Sequence, residues 1–141
     1  MKILTAIAAL LFTAQVWACP DMAGNYVCTS AEGEDQGNFA ITQREENGVT
    51  IYQMGEEEYI ADGKEHAVSQ DGFEGKYVAV CGQNNLVADI AGVYDGQVTV
   101  EVKATATKLG SGDVELTGKG KITYDGVVDN IDDKSTCKKQ N

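Results

Sequence analysis

Four cysteines, Cys19, Cys28, Cys81 and Cys137, are the residues of this chain with the most definite chemistry open to them. An even number of thiols with no Cys-x-x-Cys spacing reads as disulfides made in an oxidising compartment. Zinc is disfavoured, because His66 is the only imidazole that could complete a site. Three pairings are possible, and the sequence does not choose among them. The working expectation is Cys19–Cys28 with Cys81–Cys137, one small local loop and one long clamp. Cys28–Cys137 would instead tie the first strand to the chain end and suit a closed sheet. Each bridge should contribute on the order of 2–4 kcal/mol. Acylation of Cys19, as in a lipoprotein, is the less favoured reading. Trp17 is bulky where a lipidation motif wants a small residue, and a modified Cys19 would strand one of the other thiols.

Acid–base and metal chemistry find weaker footing. His66 lies beside the polar turn Gly63-Lys64-Glu65 and reads as a solvated loop residue. No Gly-x-Ser-x-Gly, His-Glu-x-x-His or phosphate loop occurs, so no catalytic residue and no cofactor is assigned. Asp125, Asp129, Asp132 and Asp133 gather late in the chain and supply the oxygen donors that Ca²⁺ prefers. Their spacing is not that of an EF-hand, and a hydrated acidic loop is the favoured reading. Glu56-Glu57-Glu58 and Glu32, Glu34 and Asp35 read in the same way, as wet surface that discourages strand edges from pairing with other molecules.

These residues must be held by a chain of 141 residues, enough for one domain. Eleven Lys+Arg against 22 Asp+Glu give a net charge of −11, which excludes a nucleic-acid binder working through a broad basic surface. Residues 1–18 read as a secretory signal peptide. Lys2 provides the positive start, Ile3 to Phe12 the apolar run, and Val16-Trp17-Ala18 the cleavage region. The run is too short to span a membrane, and no other apolar stretch is longer. The expected mature chain is residues 19–141, a single β domain either secreted or kept in the periplasm. Leu, Ile, Val and Phe make up only about one-fifth of it, so the apolar core is thin.

Along residues 19–141 the apolar period is two. Val occurs thirteen times and Leu three, which favours strands. The best-specified segment runs from Gln97 to Asp125. Pairing residues whose numbers sum to 222 sets Val98 against Tyr124, Val100 against Ile122 and Ala106 against Leu116 on the covered face. On the wet face Glu101 then meets Lys121, Thr105 meets Thr117, and Lys103 meets Lys119 as the one poor match. Ala104 opposite Gly118 and Val102 opposite Gly120 leave the covered face shallow. Small residues there either leave a ligand cavity or let backbone approach closely, and close packing is the favoured reading.

Shorter strands are expected at 25–29, 38–44, 49–54, 59–60, 77–81 and 86–93, with Gly92 as a candidate bulge. Asn47-Gly48, Asp62-Gly63, Asp95-Gly96 and Asp125-Gly126 supply the turns. The fold class is therefore all-β: an antiparallel up-and-down meander of about eight strands, disulfide-stabilised, forming a barrel or half-barrel. A two-sheet sandwich is the alternative.

Gly24-Asn25-Tyr26 near the mature start, followed by such a meander, resembles the lipocalin-type barrels. In that family the opening motif is Gly-x-Trp, whose Trp closes one end of the barrel. Here Tyr26 takes the Trp position, and the family's C-terminal helix has no counterpart in the sequence. The stretch from Cys19 to Cys28 is likewise similar to the start of many small exported bacterial proteins. The resemblance implies a barrel but names no ligand.

Two functional expectations follow. One is a non-enzymatic barrel that holds a small apolar or amphipathic ligand among Tyr and Val side chains. The other is a rigid cross-linked scaffold whose loops meet a protein of the cell envelope or of a target cell.

Overall fold

Apolar residues at every second position turn nearly all of the chain from Gly24 to Lys139 into strand. The structure is a computed structural model that describes residues 18–141, so residues 1–17 of the expected signal peptide lie outside the described residues. The strands are β1 (Gly24–Ser30), β2 (Asp35–Glu46), β3 (Val49–Met54), β4 (Glu57–Ile60), β5 (Glu65–Gln70), β6 (Phe73–Cys81), β7 (Asn85–Tyr94), β8 (Val98–Lys108), β9 (Val114–Tyr124) and β10 (Val127–Lys139). Each pairs antiparallel with its sequence neighbours, except that β4 and β5 do not pair. Instead β1 pairs with β10, which joins the two meanders into one ten-stranded sheet with β4 and β5 at its edges.

Those edges nearly meet. The Ile60 N–H donates to the Tyr77 hydroxyl at 3.1 Å, and the Gly63 N–H donates to the Ala79 carbonyl at 3.0 Å. The Tyr59 ring also stands edge-on to that of Tyr77, centroids 5.4 Å apart. The result is a nearly closed, lipocalin-like β-barrel.

Among the described residues ten strands replace the expected eight, and the two additions are β5 and β10. Their inward positions carry His66 and Gln70 in β5, and Asp129, Asp133 and Ser135 in β10, so apolar alternation is weak in both. Pairing with neighbours on both sides makes a strand of β10 from Ser135 onward despite its composition. The β8–β9 register is the one read from the sequence, from Val98 opposite Tyr124 to Ala106 opposite Leu116. The Lys103–Lys119 mismatch is relieved sideways, because Lys103 reaches Asp89 at 2.7 Å and Lys119 reaches Asp132 at 3.6 Å.

Four hairpins turn on Asn47-Gly48, Asp71-Gly72, Asp95-Gly96 and Asp125-Gly126, with both residues of each pair at positive φ. Three of them are the two-residue turn whose twist matches that of paired strands, while the Tyr94–Val98 register adds Gln97 to the loop at Asp95-Gly96. Asp71-Gly72, unanticipated, is the turn that makes β5 and β6 a hairpin. Asp62-Gly63 is not such a turn. It carries the chain across the gap between the sheet edges.

Two close approaches need glycine. A Cβ on Gly120 would meet the Glu101 carbonyl oxygen and the Val102 Cα at 2.8 Å, whereas one on Gly118 would meet nothing nearer than 3.9 Å. Gly92 is not a bulge. It pairs in register with Gly75, and the Phe73 ring lies against both glycines.

The disulfides are Cys19–Cys81 and Cys28–Cys137, which corrects the expected Cys19–Cys28 and Cys81–Cys137. Cys28 and Cys137 are directly opposed in the β1–β10 ladder, so strand pairing dictates their bond. Cys19 belongs to a short lead-in, residues 18–23, that folds across one end of the barrel. Met22 there is only 1% exposed, and its carbonyl accepts the Tyr26 hydroxyl at 2.7 Å. The Tyr52 hydroxyl donates to the Pro20 carbonyl at 2.5 Å. Tyr26, itself 1% exposed, thus occupies the end-closing place that the resemblance gave it.

Candidate functional site

The lead-in and its disulfide fill one half of the barrel. Tyr26, Ile41, Tyr52, Leu86, Val114 and Cys137 are buried there against Met22. Toward the other end, where the 54–57, 70–73, 94–98 and 124–127 turns lie, the inward side chains are small or partly exposed. Two adjoining cavities run from the edge of the buried half toward this end.

The first, about 180 Å³, is walled by Phe39, Met54, Leu86, Ala88, Ala104 and Leu116. Its shape follows from the alternation of β7, β8 and β9, which sends small Ala side chains inward where larger ones would fill the space. Close packing is therefore correct for Gly120, while Ala104 opposite Gly118 belongs to a cavity wall. The second, about 210 Å³, is walled by Val68, Phe73, Tyr77, Ile90 and Tyr94 at the open end. Glu57 and Tyr59 line both.

Tyr59 stands between the cavities, and its hydroxyl donates to the Glu57 carboxylate at 2.5 Å. Burial, followed by that bond to Glu57, pushes the Tyr59 phenol well above the ordinary tyrosine range, so it stays a neutral donor. Burial likewise raises Tyr52, with Asp21 adding to it, and raises Tyr77.

The sequence-predicted sites fall out differently. His66 is not a solvated loop residue. It is on β5, stacked on Tyr77 with centroids 5.4 Å apart and bonded to Asp62 at 2.9 Å. The hydrogen bond from His66 is the largest cause of a lowered Asp62 pKa, and the Lys64 backbone N–H adds to it. The aspartates proposed for Ca²⁺ are not brought together. Asp125 is in a turn, Asp132 is on the outer face beside Lys119, and ladder alternation puts Asp129 and Asp133 on the inner face. Among the described residues no group of three or more His, Cys, Asp or Glu side chains is placed to hold a metal. All four cysteine sulfurs are in disulfides.

Phe39, Met54, Glu57 and Tyr59 were not anticipated as wall residues. Extending the period of two from β1 through β4 would have placed all four on the inner face.

No protein-family model and no curated protein matches the sequence. The structure is similar to that of secretory abundant heat soluble protein 4 from Ramazzottius varieornatus, with a TM-score of 0.52 and 20% identity over 89% of this chain and 99% of that one. A second secretory abundant heat soluble protein from the same organism gives a TM-score of 0.56 and 12% identity over 88% of this chain and 98% of that one. What is shared is the fold. No helix among the described residues is long and apolar enough to cross a membrane.

Proposed function

We propose that this chain is an exported, non-enzymatic barrel protein that holds a small apolar or amphipathic ligand in its interior. The observation that carries the reading is the pair of adjoining cavities around Tyr59, apolar on the β7–β9 side and open toward the unplugged end. Ligand sites in small proteins are concave, mostly apolar and furnished with a few placed polar groups. Here the polar groups are the Tyr59 hydroxyl and the Glu57 carboxylate.

Export is supported by the two disulfides, which belong to oxidising compartments. The secretory label of the structural neighbours points the same way. We read residues 1–18 as the signal peptide and 19–141 as the mature domain. With its sulfur bonded to Cys81, Cys19 has no thiol to acylate.

The test uses the neutral fluorescent probe N-phenyl-1-naphthylamine. Native protein binds it at a single saturable site, and reduction of the disulfides releases it. Failure of native protein to bind would refute the reading.

One observation favours a second reading, a scaffold for protein contact. At the open end β10 runs past β1, leaving Val127 to Asp133 paired only with β9, and Val127 and Tyr124 are 63% and 55% exposed. Retention of a defined envelope or target-cell protein, lost on Val127→Lys, would support it.

A further inference from the structure

We infer that the interior selects an amphiphile with a cationic head, an ammonium or guanidinium carried on an apolar tail. This rests on the reading of the interior as a ligand site and specifies its ligand.

The first observation is how charge is sorted between the two faces of the sheet. Most cations on the outer face have a carboxylate partner. Arg44 bonds Glu46 and Glu58, Lys76 bonds Glu65, Lys103 bonds Asp89, Lys121 bonds Glu101 and Lys134 bonds Glu115, all within 2.9 Å. Inside the barrel the cations are kept to the plugged end, where Lys108 and Lys139 hold inner-face positions at the ends of β8 and β10. Among the described residues no Lys or Arg lines either cavity, while Glu57 lines both. Glu57 has no ion-pair partner among the described residues and accepts only the Tyr59 hydroxyl. Asp129 and Asp133, on the inner face of β10, have no ion-pair partner among them either. His66, also on the inner face, is already bonded to Asp62.

The second observation is the company Glu57 keeps. Tyr59, Phe73, Tyr77 and Tyr94 all line the open-end cavity beside it. Aromatic faces attract a cation, ammonium and guanidinium alike, and the attraction grows as water is excluded. A carboxylate with aromatic neighbours and no fixed cation is complementary to a positive head group. A carboxylate or sulfate head would instead be held beside Glu57 with nothing to neutralise it, a costly arrangement away from bulk water. The head then lies against Glu57 and the open-end rings. The tail runs past Tyr59 between Leu86, Ala88, Ala104 and Leu116.

Calorimetry with two amphiphiles of equal tail length, decyltrimethylammonium and decanoate, below their micellar concentrations, decides the matter. The expected result is one site that takes the ammonium about tenfold or more tightly than the carboxylate. Glu57→Gln should abolish that preference and Tyr94→Leu should reduce it. Glu32→Gln, in the exposed β1–β2 turn, should leave it intact, which separates the site from the general pull of an acidic protein. Binding of decanoate as tight as that of the ammonium, or equal effects of Glu57→Gln and Glu32→Gln, would overturn the head-group assignment while leaving the ligand site standing. Binding of neither amphiphile would overturn both.

Discussion

Cys28 and Cys137 stand directly opposite one another in the β1–β10 ladder and are joined by a disulfide that spans 109 residues of sequence. The pairing of first strand with last is what turns two meanders into one barrel, so this bond fastens the seam. Removing it as Cys28→Ala/Cys137→Ala should lower stability by about 5 kcal/mol, as expected for a loop of roughly 100 residues. Guanidinium denaturation of the oxidised proteins measures this. A loss under about 1 kcal/mol would mean that the ladder alone holds the seam.

The Cys19–Cys81 bond closes a 62-residue loop, and loop entropy separates it from the other by only about 0.5 kcal/mol. Its distinct role is local. Cys19→Ala/Cys81→Ala should release the lead-in, so amides of residues 21–23 exchange with solvent faster while those of β8 and β9 keep their protection relative to global stability. Hydrogen exchange read residue by residue checks this.

Two tyrosine hydroxyls hold the same lead-in. Tyr52→Phe deletes the donor to the buried Pro20 carbonyl and should cost about 1–3 kcal/mol, because that acceptor is left unpaired. Tyr26→Phe should behave alike toward Met22. Thermal melts of both variants give the answer, and unchanged midpoints would contradict the plug.

Tyr52 and Tyr59 carry raised phenol pKa values, in each case chiefly from burial. A raised folded-state pKa stabilises the fold fully below the unfolded value, and that contribution is lost as pH climbs. Stability should therefore decline above about pH 10, the ordinary tyrosine range. Absorbance at tyrosinate wavelengths should show both phenols ionising only as the barrel opens. Independent ionisation of all six tyrosines before unfolding would contradict their placement.

Glycine positions offer a paired control. Gly120→Ala forces a Cβ onto the β8 backbone and should cost about 2 kcal/mol or more, while Gly118→Ala, with open space before it, should be near neutral. Urea titrations of the two variants measure the difference.

How far the sequence could be read depended on which residues carried each element. The β8–β9 hairpin was legible to its register, because Val98 to Ala106 and Val114 to Tyr124 alternate without interruption, and one slip would bury the threonines. β10 was not, because Asp129, Asp132, Asp133 and Lys134 look like a hydrated loop until pairing with β9, and from Ser135 with β1, fixes them. Disulfide pairing depends on which strand ends meet in space, a property of the closed sheet that spacing along the chain does not hold. Ala104, Ala106 and Leu116 were legible as a covered face, but small side chains there read first as close packing, so the cavity they wall was not. The rest of the wall was hidden too, since Glu57 sits inside Glu56-Glu57-Glu58 and reads as surface until β3–β4 pairing sets it opposite Met54.

The interior as a ligand site is tested most directly by filling it. Ala104→Leu projects a larger side chain into the cavity bounded by Ala88 and Leu116 without touching the plug or either disulfide. Titration of N-phenyl-1-naphthylamine should give a saturable one-to-one isotherm for the wild-type chain. The variant should bind about tenfold or more weakly, with its cooperative melt retained. Equal binding by the two proteins, or none by the wild type, would contradict a ligand-holding barrel.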